Sequence, residues 1–305
     1  MPINQRWIRT MGRANNMLKH RLITGPLLGI ALIVLMYFDD KIGCLACEYG
    51  ITFQPGLLIA LLAMLAAPLA ALEFGAMANN ANIRCSIPVL ILSMEAWIVA
   101  IYFTPPTMPT TQAIALMATI LVASFFTSIV YLSKGKELRG IISGSTFTVT
   151  TAAYVAMGFG LLLLLRRDHS AWWIMGIIAT VKMCDTGAFF VGCSIGKHKM
   201  IPWVSPAKSW EGLIGGLVTA SLTAVGLAAL NNHYLPDAPM LTFGYAAFLG
   251  VLFGGLGQLG DLVISVFKRD SGIKDASSVL PGLGGILDVL DSLLLVTAAA
   301  YWLLP

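Results

Sequence analysis

Charged residues are scarce in this sequence. Asp, Glu, Lys and Arg make up 11% of the 305 residues, whereas a soluble domain carries roughly 25%. Hydrophobic residues make up 57%, and the mean hydropathy is +0.82. A soluble fold would leave much of that apolar surface facing water, so the composition argues against a soluble domain. The five cysteines are too few for a disulfide scaffold.

Long apolar runs stand where charge is missing. A helix crosses a bilayer with about 20 apolar residues, and the runs here predict an all-α, polytopic membrane protein with about nine such helices. The basic segment before the first run has no clear small-residue cleavage site, so we expect that helix to be retained. The predicted spans are residues 22–38, 55–78, 87–104, 112–132, 140–165, 171–192, 212–231, 241–264 and 286–304.

The distribution of Lys and Arg predicts the orientation. Fifteen of them fall before the first span or in loops on one side of the predicted topology, and three fall on the other. Because basic residues concentrate in cytoplasmic loops, we expect the N-terminus inside and the C-terminus outside a bacterial inner membrane. Arg166 and Arg167 lie on the minority side, where Asp168 offsets part of their charge.

Two long inner loops, at about 193–211 and 265–285, hold most of the unusual residues. The first places lysines, hydroxyl groups and glycines directly before a predicted helix. Ammonium groups neutralise phosphate, and backbone N–H groups at a helix N-terminus favour an anion. Lys197, Ser205 and Lys208 are therefore candidate phosphate-binding residues. For any one lysine the alternative, that it only fixes the topology, stays open.

Carboxylates surround the second loop. Asp261 follows Gly257–Gly260 inside a span, and Asp288 and Asp291 lie three apart on one face of the last helix. Carboxylates at membrane depth are costly and usually functional. Together with nearby lysines they predict a Mg²⁺ site, with or without a second cation, since Mg²⁺ prefers carboxylates plus substrate phosphates. Alternatively, Asp288 and Asp291 only complement the helix dipole.

Further charges lie within other predicted spans. Lys182 and Asp185 lie three residues apart in the sixth span. They are either a mutually neutralised structural pair or part of the same site. Glu73 and Glu95 lie near span ends or interfaces, and we expect them to pair with neighbouring helices rather than to take part in catalysis.

The late motifs follow a recognisable order. They read Ser265, Lys268-Arg269, Lys274-Asp275, Pro281, Gly284-Gly285, Asp288 and Asp291-Ser292, with further matches at 185–192, 196–199 and 205–212. In these motifs the chain resembles the phosphatidate cytidylyltransferases (CDP-diacylglycerol synthases). The resemblance is specific over residues 185–292, and nine spans suit it.

Four positions depart from the family pattern. Cys193, Ala207, Leu283 and Val289 stand where the family has Arg, Lys, His and Arg. Each change removes a potential cation, so the charge of CTP must be balanced differently here. The carboxylates all remain, which favours an active enzyme.

The resemblance implies an activity and residue roles. The cytidylyl group of CTP would pass to phosphatidate at a metal site on the cytoplasmic side. Asp261, Asp288 and Asp291 would bind Mg²⁺ and, with Lys268 and Arg269, form the catalytic set. Substrate binding would fall to Asp185, Lys182, Lys197, Ser205, Lys208, Lys274, Gly284 and Gly285.

The same resemblance bears on organisation and partners. We expect one transmembrane domain over 1–305, with catalytic helices in 133–305 and candidate subunit contacts in 1–132. A homodimer is compatible with the resemblance, although the sequence itself indicates no interface. The expected partners are CTP, phosphatidate or a related lipid phosphate, and membrane lipid, with no nucleic acid.

Three alternative functions share part of this pattern. The first is a cytidylyltransferase for another lipid phosphate, such as an ether lipid, which the sequence does not separate from phosphatidate. The second is a CDP-alcohol phosphotransferase, but its characteristic acids are spaced by four residues rather than three. The third is a transporter of an anionic solute, which broken helices and midplane charges would suit. Against it, no inverted repeat is evident and the charged loops cluster on one side.

Overall fold

The structure, a computed structural model, describes residues 25, 27, 29–42, 54–136, 138–234, 239–273, 277 and 284–305. Within these residues the chain is almost wholly helical, which confirms the all-α prediction. Helices α1 to α9 cover 29–42, Leu57–Asn80, Ile87–Phe103, Thr110–Ser133, Ile141–Asp168, Ala171–Ile195, Trp210–Tyr234, Phe243–Asp270 and Leu287–Leu303. Strands β1 and β2 cover Lys199–Ile201 and Ser205–Ser209.

Six of these helices are long and apolar enough to cross a membrane: α2 and α4 to α8. Their mean hydropathy over 18 residues lies between 1.5 and 2.3. Helix α3 is apolar but has 17 residues. The chain is therefore a multi-pass membrane protein, while the number of nine spans and the orientation stay predictions.

Helix α8 continues beyond its predicted end. The apolar run predicts an end near residue 264, but the helix runs to Asp270. Phe267 lies in this extension and packs edge-to-face on Phe74 of α2, with ring centroids 5.8 Å apart. This contact gives the last turns of α8 a buried face, so Lys268 and Arg269 lie on a helix rather than in a loop.

A short hairpin occupies the first inner loop, where the sequence predicted no strands. Strands β1 and β2 are antiparallel, with Lys199 opposite Ser209 and Ile201 opposite Ser205. The amide of Trp210, the first residue of α7, donates to the carbonyl of His198 at 3.0 Å. The hairpin thus leads directly into α7 and fixes where Lys208 projects.

Small residues bring the C-terminal helices close together. A Cβ at Gly250 of α8 would lie 2.6 Å from the Cα of Ser221 in α7, and one at Gly216 of α7 would lie 2.8 Å from the carbonyl of Cys184 in α6. Such positions let helix backbones approach within a membrane, where packing rather than water exclusion drives association. Helices α6, α7 and α8 therefore form one tightly packed unit, and α9 packs on α8 and α5.

One end of the bundle is joined by an ionic group in which Arg166 and Asp39 are buried and Asp40 is partly exposed. It is here named the Arg166 cluster: Asp39, Asp40, Arg166, His169 O, Leu58 N and Ala171 N. Arg166 Nε lies 2.7 Å from Asp39, and a terminal guanidinium nitrogen lies 2.6 Å from Asp40. The remaining guanidinium nitrogen donates to the carbonyl of His169 at 3.1 Å. The two carboxylates also accept the amides of Leu58 and Ala171. This cluster joins α1, α2, α5 and α6. Its two aspartates neutralise Arg166, one of the two arginines on the minority side of the predicted topology.

Candidate active site

Acidic and basic side chains meet where α6, α8, α9 and the hairpin approach one another. Each of three lysines lies within salt-bridge distance of a different aspartate, and the fourth aspartate contacts a neighbouring carboxylate. We name this group the carboxylate–lysine cluster: Lys182, Asp185, Lys208, Asp261, Lys268, Asp288 and Asp291. The predicted site residues of both inner loops and of the sixth span therefore largely come together.

Asp261 of α8 and Asp291 of α9 form the middle of the cluster. Their carboxyl groups lie within hydrogen-bonding distance of each other. Gly260 makes this approach feasible, because a Cβ there would lie 3.3 Å from the Cα of Ser292 and closer still to the backbone of Asp291. Asp291 is 4% exposed, whereas the side chain of Asp261 is 34% exposed. One acid of the pair is thus buried and the other faces an opening.

Lys208 connects the hairpin to this pair. Its ammonium group lies 2.6 Å from Asp261 and donates to the carbonyl of Gln258 at 3.2 Å. Because strand β2 leads directly into α7, the lysine is held at the helix N-terminus and points across to α8. The contact supplies positive charge next to the acid pair.

Lys182 and Asp185 are not a closed structural pair. Their charged groups are 3.5 Å apart, and each has a second partner. Lys182 donates to the hydroxyl of Ser292 at 3.1 Å, and Asp185 accepts from the amide of Gln258 at 2.8 Å. Both side chains remain partly exposed, so α6 contributes a polar wall that is linked to α8 and α9.

Asp288 is held apart from the other acids. Lys268 donates to one of its oxygens at 2.6 Å, and the amide of Gly285 donates to the other at 3.0 Å. Gly284 has a φ of +94°, and a Cβ there would lie 2.5 Å from the same carboxylate. The predicted glycine pair therefore wraps the start of α9 around Asp288.

Three of the predicted residues that the structure describes lie outside the contacts of this cluster. Arg269 donates to the carbonyl of Val204 at 3.0 Å and so ties α8 to the hairpin. Lys197 is exposed before β1, and Ser205 begins β2 opposite Ile201. Lys274 lies outside the described residues.

Of the three predicted magnesium ligands, Asp261 and Asp291 are the two whose carboxyl groups approach each other and could bind one ion together. No group of three or more Asp, Glu, His or Cys side chains among the described residues is close enough to hold one ion. Lys268 engages Asp288 and Lys208 engages Asp261, each at 2.6 Å, but only Asp261 has a second carboxyl group, that of Asp291, within hydrogen-bonding distance. Two carboxylates suit Mg²⁺, which commonly takes one or two from the protein and completes its shell with phosphate and water.

Comparison with known proteins agrees with the sequence motifs. Residues 41–305 match the sequence model of the cytidylyltransferase family. The chain belongs to the cytidylyltransferase family. The resemblance predicted from the inner loops is thereby confirmed.

Relatives of this cytidylyltransferase-family chain include proteins named phosphatidate cytidylyltransferase. The one from Haemophilus influenzae is 37% identical over 184 residues, which cover 58% of this chain and 60% of the relative. The one from Mycobacterium tuberculosis is 40% identical over 164 residues, covering 53% and 47%. The one from Staphylococcus aureus is 38% identical over 190 residues, covering 62% and 68%. The chain thus spans about half to two thirds of the length of these relatives.

Three further residues contact or approach the site of this cytidylyltransferase-family protein without having been predicted there. Gln258 donates to Asp185. It is a polar residue in an apolar run, three residues before Asp261, and this position could have indicated a role in the site from the sequence alone. Tyr154 of α5 lies within electrostatic range of Asp291, and its buried hydroxyl has no hydrogen-bond partner in the part of the chain that is described. Glu73 of α2 bonds to the start of α9.

Proposed function

We propose that this protein transfers the cytidylyl group of CTP to phosphatidate, giving CDP-diacylglycerol and pyrophosphate, on the cytoplasmic side of the membrane. The observation that carries the proposal is the convergence of three lysines on four aspartates within a membrane-embedded helix bundle. The names of the relatives agree with it. The predicted orientation would place the cluster on the cytoplasmic side, where the basic loops concentrate.

The reaction needs little acid–base chemistry. A phosphate oxygen of phosphatidate attacks the α-phosphorus of CTP, and the bond to the bridging oxygen of the β-phosphate breaks. The electron pair leaves with pyrophosphate. Because the attacking phosphomonoester is already anionic, no strong base is required. The protein's task is to hold two anionic reactants in line and to offset their charge.

The lysines would perform most of that charge balance. Lys182, Lys208 and Lys268 each contact an aspartate, at 3.5, 2.6 and 2.6 Å. An ammonium group on a flexible stem can turn from a carboxylate to a phosphate without moving its helix. The three lysines would therefore form a binding surface for the triphosphate and the lipid phosphate, and Lys182 would replace one of the cations lost from the family pattern.

The acids would hold the metal and set the geometry. Asp261 and Asp291 would bind Mg²⁺, which when bound neutralises charge developing on the phosphate oxygens. Asp288 would orient Lys268, and Asp185 would orient Lys182 through the contacts described above. Lys197 and Lys274 would attract CTP, and Arg269 would keep the hairpin on α8, so that Ser205 and Lys208 face the same opening.

The first test is pyrophosphate release by the purified protein in detergent. CTP, phosphatidate and Mg²⁺ are supplied together and then omitted one at a time, and an ether-linked lipid phosphate replaces phosphatidate in a parallel series. Release that requires all three components supports the proposal. Faster release with the ether lipid would reassign the lipid substrate, and no release with any combination would refute the activity.

A matched pair of variants links that activity to the cluster. Asp261→Asn removes the charge at the acid pair, and we expect it to abolish release. Asp168→Asn removes an aspartate that is half exposed at the other end of the bundle, and we expect it to leave release unchanged. Equal activity of the two variants would remove Asp261 from the site.

A further inference from the structure

Glu73 lies far from the predicted chemistry in sequence but is buried against it in space. It is on α2, about two turns before that helix ends, and it is 3% exposed. Its two oxygens accept the amides of Ile286 at 2.8 Å and Leu287 at 2.9 Å. One oxygen also accepts the hydroxyl of Ser277 at 2.5 Å. A buried carboxylate is costly in a membrane unless it is bonded, and here each oxygen is bonded.

The two amides are the first donors of α9. Ile286 is the N-cap residue and Leu287 the first helical residue, and neither has a neighbour in the helix to bond to. Such donors usually bond to the side chain of a Ser, Thr, Asp or Asn at the N-cap. The side chain of Ile286 has no acceptor atom, and α9 has no side-chain cap of its own. Glu73 supplies the missing acceptors and a negative charge at the positive end of the helix.

Gly285, which directly precedes the N-cap residue of α9, packs closely against the carboxylate of Glu73. A Cβ at this position would lie 2.5 and 2.6 Å from the two carboxylate oxygens of Glu73. Unlike Gly284, Gly285 has no positive φ. Its backbone would accept alanine, and the obstacle to a side chain is Glu73 itself.

The start of α9 carries two residues of the cluster. Asp288 follows the capped amides directly, and Asp291 lies one turn further, where it meets Asp261. We infer that Glu73 is a positioning residue: by capping α9 from α2, it fixes the axial and rotational placement that brings Asp288 to Lys268 and Asp291 to Asp261. The inference deepens the proposed function and rests on it.

The test compares Glu73→Gln with Glu95→Gln in the full-length protein. Glutamine keeps the size of Glu73 but has one acceptor oxygen, and its NH₂ group would face an amide donor. We expect kcat to fall about 10–100-fold, as for other groups that orient ligands, with KM for CTP little changed. Glu95 lies on α3, and its removal should leave kcat at the wild-type value.

Hydrogen exchange gives a readout that does not depend on activity. Amides of residues 284–291 should exchange faster in Glu73→Gln than in the wild type, and at the wild-type rate in Glu95→Gln. A fall in kcat together with faster exchange supports the inference. Either change without the other, or neither, would overturn it. If the wild type released no pyrophosphate, the proposed function would fail, while the exchange comparison would still decide whether Glu73 fixes α9.

A second pair of variants covers the case in which Glu73→Gln does not fold. Gly285→Ala pushes a methyl group against the carboxylate, and Glu73→Asp withdraws that carboxylate by one methylene. We expect the double variant to be more active than Gly285→Ala alone, because the shorter acid leaves room for the methyl group. Residues in contact show such non-additive effects. Strictly additive losses would mean that the contact does not set the geometry of the site.

Discussion

The Arg166 cluster and the carboxylate–lysine cluster use the same chemistry for different ends. Both bring aspartates and cations together between helices. They lie about 21 Å apart along α6, because Ala171 and Asp185 are separated by 14 positions and a helix rises about 1.5 Å per residue. In the Arg166 cluster one arginine serves two aspartates, and its side chain is 7% exposed. In the other cluster, three lysines serve separate aspartates, and the side chains of Lys182 and Asp261 are 46% and 34% exposed.

We interpret the difference as that between a structural group and the proposed active site. The guanidinium group of Arg166 is planar and rigid, and each of its nitrogens already has a hydrogen-bond partner. We therefore expect it to keep these partners. Lysines that each hold one oxygen of a partly exposed acid can exchange it for a phosphate. The Arg166 cluster is expected to stabilise the fold, whereas the lysines of the carboxylate–lysine cluster are expected to bind the phosphates of a substrate.

The largest expected effect concerns the stability of the Arg166 cluster. Arg166→Leu leaves Asp39 buried without its cation, and breaking such a pair typically costs about 3–5 kcal/mol. We expect the midpoint of thermal unfolding in detergent to fall sharply, while kcat per folded molecule stays at the wild-type value. A loss of kcat in fully folded protein would show that the two clusters are coupled. It would contradict the assignment of the Arg166 cluster to stability alone.

The next largest effect is on catalysis, in the opposite pattern. Asp291→Asn removes one member of the acid pair, and we expect kcat to fall by about 10²–10³-fold, the usual cost of losing one fixed electrostatic group. Stability should hold, because asparagine keeps the size of the side chain and its NH₂ group can still donate to Asp261. A large drop in the unfolding midpoint without loss of kcat would instead assign Asp291 to the fold.

Lys208 sharpens the comparison between a lysine and an arginine. Lys208→Met removes the proposed charge-assisted contact with the triphosphate of CTP. Such a contact is worth about 1.5–3 kcal/mol, so we expect KM for CTP to rise about 10–100-fold. Lys208→Arg should recover only part of this, because its planar fork would hold Asp261 as Arg166 holds Asp39. Lys134→Met, at the exposed end of α4, is the matched control and should bind CTP normally. Full recovery by arginine would contradict the argument from exchange of partners.

The smallest effect concerns Lys197, which is exposed and contacts no member of the cluster. Lys197→Gln should lower kcat/KM by about threefold or less in low salt, as expected for long-range attraction of an anion. The difference should vanish above about 0.5 M salt, where screening is nearly complete over such distances. A loss that persists in high salt would place Lys197 in direct contact with the substrate.

Much of the architecture could be predicted from the sequence because a membrane imposes simple rules. Each spanning helix must be apolar and must satisfy its own backbone, so the apolar runs match α2 to α7 and α9 to within about three residues, whereas α8 runs six residues beyond its predicted end. The acids of the cluster stand out for the same reason, since Asp185, Asp261 and Asp291 are costly in such runs.

Contacts between distant segments could not be predicted in the same way. The motif order places Asp288 with Asp261 and Asp291, but the structure pairs it with Lys268, because the glycines before α9 turn its carboxylate toward α8. The hairpin at Lys199–Ser209 has no alternating apolar pattern to reveal it. Glu73 does bond to a neighbouring helix, as expected, but a single sequence does not show that its partners are backbone amides at the start of α9.

The contact between Glu73 and α9 also has a consequence for biosynthesis. Glu73 and Ile286 are 213 residues apart, and a ribosome adds about 5–20 residues per second. For on the order of ten seconds or more, the carboxylate of each new chain therefore lacks the two amide donors that α9 supplies in the finished protein. Synthesis of the last helix provides them. A chain cut short before that helix would keep an acid on α2 without these two donors.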